Sequence, residues 1–161
     1  MKALLAILLA AGTISGAAAL GQETSAPSPL LGKWALDVSS MPFPPEARPK
    51  SVTITYSDVG GGKWQTNVDV VGREGNQMRA SGTYPLDGTA APSTGYPTID
   101  TAATALPAPN VMVTALYKDG MPRTTRTYTV APDGKSMTET VVWLNLNGKP
   151  EITTSRFDRV E

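Results

Sequence analysis

Gly-containing turn signals divide the second half of the chain into short, evenly spaced runs, and that spacing leaves few folds open. Asp119-Gly120 separates VMVTALYK (111–118) from RTTRTYTVA (123–131). Pro132-Asp133-Gly134-Lys135 leads on to SMTETVVWLNL (136–146), and Asn147-Gly148 to PEITTSRFDRV (150–160). Asp-Gly and Asn-Gly readily supply the positive φ angles that tight hairpin turns demand. The runs between them alternate in polarity, and period two is the pattern of a half-buried strand.

The first half reads the same way. LGKWALDVS (31–39) sets Trp34, Leu36 and Val38 on one face, and SVTITYS (51–57) aligns Val52, Ile54 and Tyr56. Gly60-Gly61-Gly62 turns the chain into KWQTNVDVV (63–71), with Trp64, Thr66, Val68 and Val70 on one side. REGN (73–76) leads to QMRASGTY (77–84), and TIDTAATAL (98–106) reads as a further short strand. MPFPPEARP (41–49) carries too many prolines for a strand or a long helix, and PLDGTAAPSTGYP (85–97) reads as a long loop. Past the N-terminal leader no segment sustains a helical period.

About nine strands joined by hairpins make a meander. Left open, it would expose two long edges, and closure removes them. A Greek-key sandwich needs long crossing connections, for which only 41–49 and 85–97 are available. The expected fold is all-β: an antiparallel up-and-down meander barrel over residues 31–161.

Ahead of it, MKALLAILLAAGTISGAAALGQE combines one Lys, an apolar run and an Ala-x-Ala-type end, the three parts of a secretory signal peptide. The expected organisation is a signal peptide at 1–21, a flexible Pro-containing linker at 22–30 and a barrel domain at 31–161. The product is expected to be periplasmic or secreted. No later apolar run reaches the roughly 18 residues of a membrane-spanning helix, so no transmembrane segment is expected after cleavage.

Composition narrows function. The chain holds neither His nor Cys. Ser-His and Cys-His nucleophile pairs are therefore impossible, as are His- or Cys-ligated metals and haem. Cleavage removes Lys2 and none of the acids, so the 14 basic and 14 acidic residues become a mature chain one charge negative. That balance gives no electrostatic pull toward nucleic acid. Gly60-Gly61-Gly62-Lys63 lacks the spacing and the following helix of a phosphate loop and reads as a turn. Mid-strand Asp69 and Glu139 are the carboxylates that could be buried, and nothing in the sequence brings them together. No enzyme, metal or cofactor is expected.

Gly32-Lys33-Trp34 resembles the Gly-x-Trp of the first strand in lipocalins and related calycin barrels, and the chain as a whole is similar to short exported bacterial proteins of lipocalin-like type. The resemblance implies that Trp34 closes one end of the barrel and packs on an Arg of the last strand, where Arg156 and Arg159 are both available. Arg126-Thr127-Tyr128 is similar to the Arg-x-Tyr that binds a carboxylate inside fatty-acid-binding barrels. The resemblance implies a ligand carboxylate held by Arg126 and Tyr128. The plainer reading puts Arg126 on the outer surface. Trp64 and Trp143, on separate strands, read either as core or as the aromatic wall of an apolar pocket.

The expected function is thus a non-enzymatic barrel holding a small, apolar or amphipathic ligand, with Arg126, Tyr128, Trp64 and Trp143 as the ligand-binding candidates. The alternative is a barrel filled by its own side chains that acts through its two long loops. The sequence identifies no protein partner.

Overall fold

Ten antiparallel strands form one sheet in the computed structural model of the protein, which describes residues 27–160. They are β1 Gly32–Leu36, β2 Ser51–Gly60, β3 Lys63–Val71, β4 Gln77–Pro85, β5 Asp87–Pro92, β6 Thr101–Ala108, β7 Val111–Lys118, β8 Met121–Val130, β9 Ser136–Leu144 and β10 Pro150–Val160. Their order is β4-β3-β2-β1-β10-β9-β8-β7-β6-β5. β1 lies between β2 and β10, so the first and last strands are neighbours and the meander curls into a nearly closed barrel.

The seam falls between β4 and β5. It is fastened by a bridge in which Ser81 and Thr94 exchange backbone hydrogen bonds of 3.0 and 2.9 Å. Gly95 makes that approach possible. Its φ is +90°, and a Cβ there would stand 1.8 Å from the carbonyl oxygen of Arg79.

The tenth strand corrects the expected count. Residues 85–97, read as a loop, contain β5, which pairs with β6. Its proline and glycine read as turn residues, yet an edge strand tolerates a missing N–H, and a register shift between Asp87 and Ala90 takes up the irregularity. The loop between β1 and β2 holds two single-turn 3₁₀ helices, Val38–Ser40 and Pro45–Ala47. Val38, expected on the first strand, therefore belongs to a 3₁₀ turn.

Two of the turns show how local chemistry sets the register. Asp119 (φ 51°) and Gly120 (φ 74°) make a two-residue hairpin between Lys118 and Met121, as a positive-φ turn requires. Asn147-Gly148 does not. Ladder pairing stops at Leu144 and Pro150, and Asn145 Oδ1 accepts from the backbone N–H of Asn147 (3.0 Å) and of Lys149 (3.1 Å). The Asn145 side chain thus organises a five-residue loop.

The barrel is filled at one end. Leu30, Trp34, Tyr56, Trp64, Met112, Tyr128, Val130, Met137 and Phe157 pack there in one apolar cluster. Burying a side chain of the size of Met or Phe stabilises the fold by about 1.5–3 kcal/mol. Residues 27–30, the described part of the expected linker, belong to this end. Leu30 is fully buried, and Ser28 Oγ donates to the Pro109 carbonyl at 2.7 Å. The expected signal peptide at 1–21 lies outside the described residues.

Candidate functional site

Trp34 sits at the floor of the filled end. Its indole N–H donates to the Leu30 carbonyl at 2.8 Å, and the guanidinium of Arg159 lies 4.2 Å from its ring centroid. Register pairs Trp34 with Arg159 across β1 and β10. The Arg159 head also donates to the carbonyls of Gly134 (2.7 Å), Leu31 (2.8 Å) and Pro29. Gly32 is needed beside it, with φ +110° and a would-be Cβ 2.8 Å from Arg159 Nη1. Between the two arginines left open by the sequence, Arg159 closes the barrel. Arg156 points outward and pairs with Asp158 at 2.8 Å, both largely exposed.

Above this floor the barrel holds a cavity of about 830 Å³. Val52, Ile54, Val68, Val70 and Ala80, from β2, β3 and β4, give it an apolar wall. The opposite side, from β6 to β9, mixes Ala102, Met112 and Leu116 with most of the interior polar groups. Thr104, Thr114 and Arg126 follow one another across β6, β7 and β8 in the ladder register. Thr104 and Thr114 share an Oγ–Oγ hydrogen bond of 3.2 Å. Met41, Tyr96 and Ile99, from the connections at the other end, and Lys118, the last residue of β7, line the cavity too. Its mouth therefore lies opposite Trp34.

Alternation on β8 turns Thr124, Arg126, Tyr128 and Val130 inward. On β9 it turns Met137, Glu139 and Val141 the same way. The tight turn at 131–135 sets Tyr128 opposite Glu139 and Arg126 opposite Val141. Glu139 Oε1 then accepts from Arg126 Nη1 at 2.6 Å and from the Tyr128 hydroxyl at 2.9 Å. The Glu139 side chain is 7% exposed and that of Arg126 35%. Both residues line the cavity, so a visitor meets the guanidinium and the carboxylate as a pair.

Burial opposes the charge on Arg126, but Tyr128 and Glu139 more than offset it, and its pKa is raised. Burial, then the Glu139 charge, pushes the Tyr128 hydroxyl up. Tyr56, edge-on to Tyr128 with ring centroids 6.1 Å apart, is also pushed well up, first by burial and then by Tyr128 and Glu139. All three side chains stay protonated at neutral pH. Two polar atoms of β8, Arg126 Nε and Thr124 Oγ1, are buried without a hydrogen-bond partner.

Arg126 and Tyr128 therefore line the cavity side by side, and the outer-surface reading of Arg126 is replaced. The place that the Arg-x-Tyr resemblance gives to a ligand carboxylate is taken by the protein's own Glu139. Trp64 and Trp143 are not among the lining residues. Trp64 packs under the cavity against Tyr56, with ring centroids 6.4 Å apart. Trp143 is half-buried near the far end of β9. Asp69 faces outward and pairs with Arg79 at 2.6 Å. Among the described residues no cluster of acidic side chains could hold a metal ion.

No family model and no curated protein sequence matches the chain. Solved structures resemble its fold. The wild-type fluorescent protein UnaG covers 81% of this chain with 96% of its own, at a TM-score of 0.54 and 14% identity. Rv2717c from M. tuberculosis covers 83% with 94% of its own, at 0.51 and 13%. A point mutant of UnaG gives 0.55 over 83% of this chain. The barrel is of the lipocalin-like, calycin type.

Proposed function

We propose that this protein is a carrier or receptor for a small, largely apolar molecule, bound inside the barrel without chemical conversion. One observation carries the reading. A cavity of about 830 Å³ is lined largely by apolar and aromatic side chains with a few polar groups among them, within the size range and make-up of small-molecule sites. A core filled by its own side chains would leave no such space, since interiors pack with few voids larger than a water molecule. Binding would come from burying ligand surface against Val52, Ile54, Val68 and Val70. Thr114, Arg126 and Tyr128 would orient the polar end. The N-terminal leader supports export, and we assign the function to the periplasm or the exterior on that basis.

Native mass spectrometry of the protein purified gently from its host tests the reading. A discrete extra mass, released on denaturation, is expected. A bare chain that also takes up no apolar small molecule on titration would overturn it.

A further inference from the structure

Arg126 and Glu139 are the charged groups that line the cavity interior, and each answers the other's charge. Glu139 stands 2.6 Å from Nη1, almost wholly covered, with the Tyr128 hydroxyl completing its shell. The remaining interior polar groups on this wall are neutral hydroxyls, among them Thr104, Thr114 and Thr124. Tyr96, from the connection between β5 and β6, lines the same cavity. The other charges of the lining, Lys118, Asp119 and Arg123, belong to the mouth. Lys118 is engaged by Asp100 at 3.5 Å, and Arg123 is exposed, where water and salt screen it.

A carboxylate entering this interior would lose its hydration and come to rest beside Glu139. Like charges sharing one low-dielectric site repel, and one of the two must take up a proton or leave. A carbonyl or amide oxygen faces no such conflict. It accepts from a guanidinium N–H or a threonine hydroxyl while the Arg126–Glu139 pair stays intact, and charge-assisted bonds of this kind are the strong ones.

Resting on the ligand-binding reading, we propose that the cavity selects molecules whose polar end is an uncharged oxygen acceptor on an apolar body, and rejects free carboxylic acids. Glu139 is the residue that sets this preference. Arg126 alone would favour the acid, so the same pair of strands would have the opposite specificity without it.

Two probes of equal chain length, dodecanamide and dodecanoic acid, separate the possibilities. Each is titrated at neutral pH into the wild-type protein, with binding read by calorimetry or by displacement of an apolar dye. The amide should bind at least about tenfold more tightly than the acid. In Glu139→Gln, which keeps the side chain's size and an oxygen acceptor, the acid should gain on the amide until the order is lost or reversed. Equal affinities in the wild-type protein, or a preference for the acid, would overturn the inference and leave the ligand-binding reading standing. Failure of the amide, the acid and the dye alike to bind would overturn both. A folded Glu139→Gln with the wild-type order unchanged would overturn the role of Glu139, and the wild-type comparison decides the selectivity even if that variant does not fold.

Discussion

Arg159, the third residue from the C-terminus, lies with its guanidinium 4.2 Å over the indole of Trp34, the third residue of the first strand. The contact joins the first and last strands, neighbours in the middle of the sheet, and the same guanidinium gathers the carbonyls of Pro29, Leu31 and Gly134. One side chain thus pins the N-terminal segment, the turn between β8 and β9, and the floor of the barrel. An Arg does this because its planar fork presents several donors at once while its face stacks on a ring.

Arg159→Lys keeps the charge and loses the fork. It should cost about 2–4 kcal/mol, the combined scale of a cation–π contact and charge-assisted hydrogen bonds. Arg156→Lys, on the exposed face, should stay within about 0.5 kcal/mol of wild type. Denaturant midpoints of the two variants would check the contrast.

Glu139 should tolerate Gln better than Ala. Glu139→Ala leaves a partly covered guanidinium and a buried phenol hydroxyl without their shared acceptor. A cost of about 2–4 kcal/mol is expected. Glu139→Gln retains an acceptor oxygen and should cost roughly 1 kcal/mol. Equal losses in the two variants would show that the paired oxygen matters little to stability.

Alkali should weaken the fold through its buried tyrosines. Tyr56 and Tyr128 have folded-state pKa values raised above the ordinary value of about 10. The unfolded chain gives up these protons first, so the folded state binds more of them above pH 10. The stability is fully present below pH 10 and is lost as pH rises beyond it, by up to about 1.4 kcal/mol per pH unit for each tyrosine. Denaturant melts between pH 8 and 11.5 should show the decline, and Tyr128→Phe should flatten it.

The seam between β4 and β5 depends on Gly95. Gly95→Ala would push a methyl into the Arg79 carbonyl and strain a φ of +90°. Amide exchange at Ser81 and Thr94, which hold the bridge, should quicken far more than exchange at the β9–β10 ladder. Uniform quickening would mean that the seam does not open on its own.

Much of this molecule is written in its alternating runs. The inward faces of β2, β3 and β8 follow from where Ile54, Trp64 and Tyr128 must go. The choice between Arg159 and Arg156 was also within reach. Arg159 shares its face with Phe157, which a strand would bury, whereas Arg156 shares its face with Asp158. The Arg126–Glu139 pair was recoverable in principle, because a tight turn at 131–135 fixes Tyr128 opposite Glu139. Alternation by itself gives Glu139 a face but no partner, and the ladder register supplies the partner. Other features depend on contacts remote in sequence. β5 exists because β6 supplies a neighbour, and Leu30 is buried in the cluster around Trp34, whose indole N–H bonds its carbonyl. Trp64 and Trp143 fell at the two ends of the barrel, where alternation gives a face but not a height.

Titration of an apolar, environment-sensitive dye into the wild-type protein and into Thr114→Trp tests the ligand-binding reading most directly. Thr114 lines the cavity, and an indole there would occupy the space a ligand needs. Saturation at one dye per chain in the wild-type protein, abolished in a folded Thr114→Trp variant, is the expected result. Binding that never saturates, or that survives the plug unchanged, would place the dye on the surface and contradict an interior site.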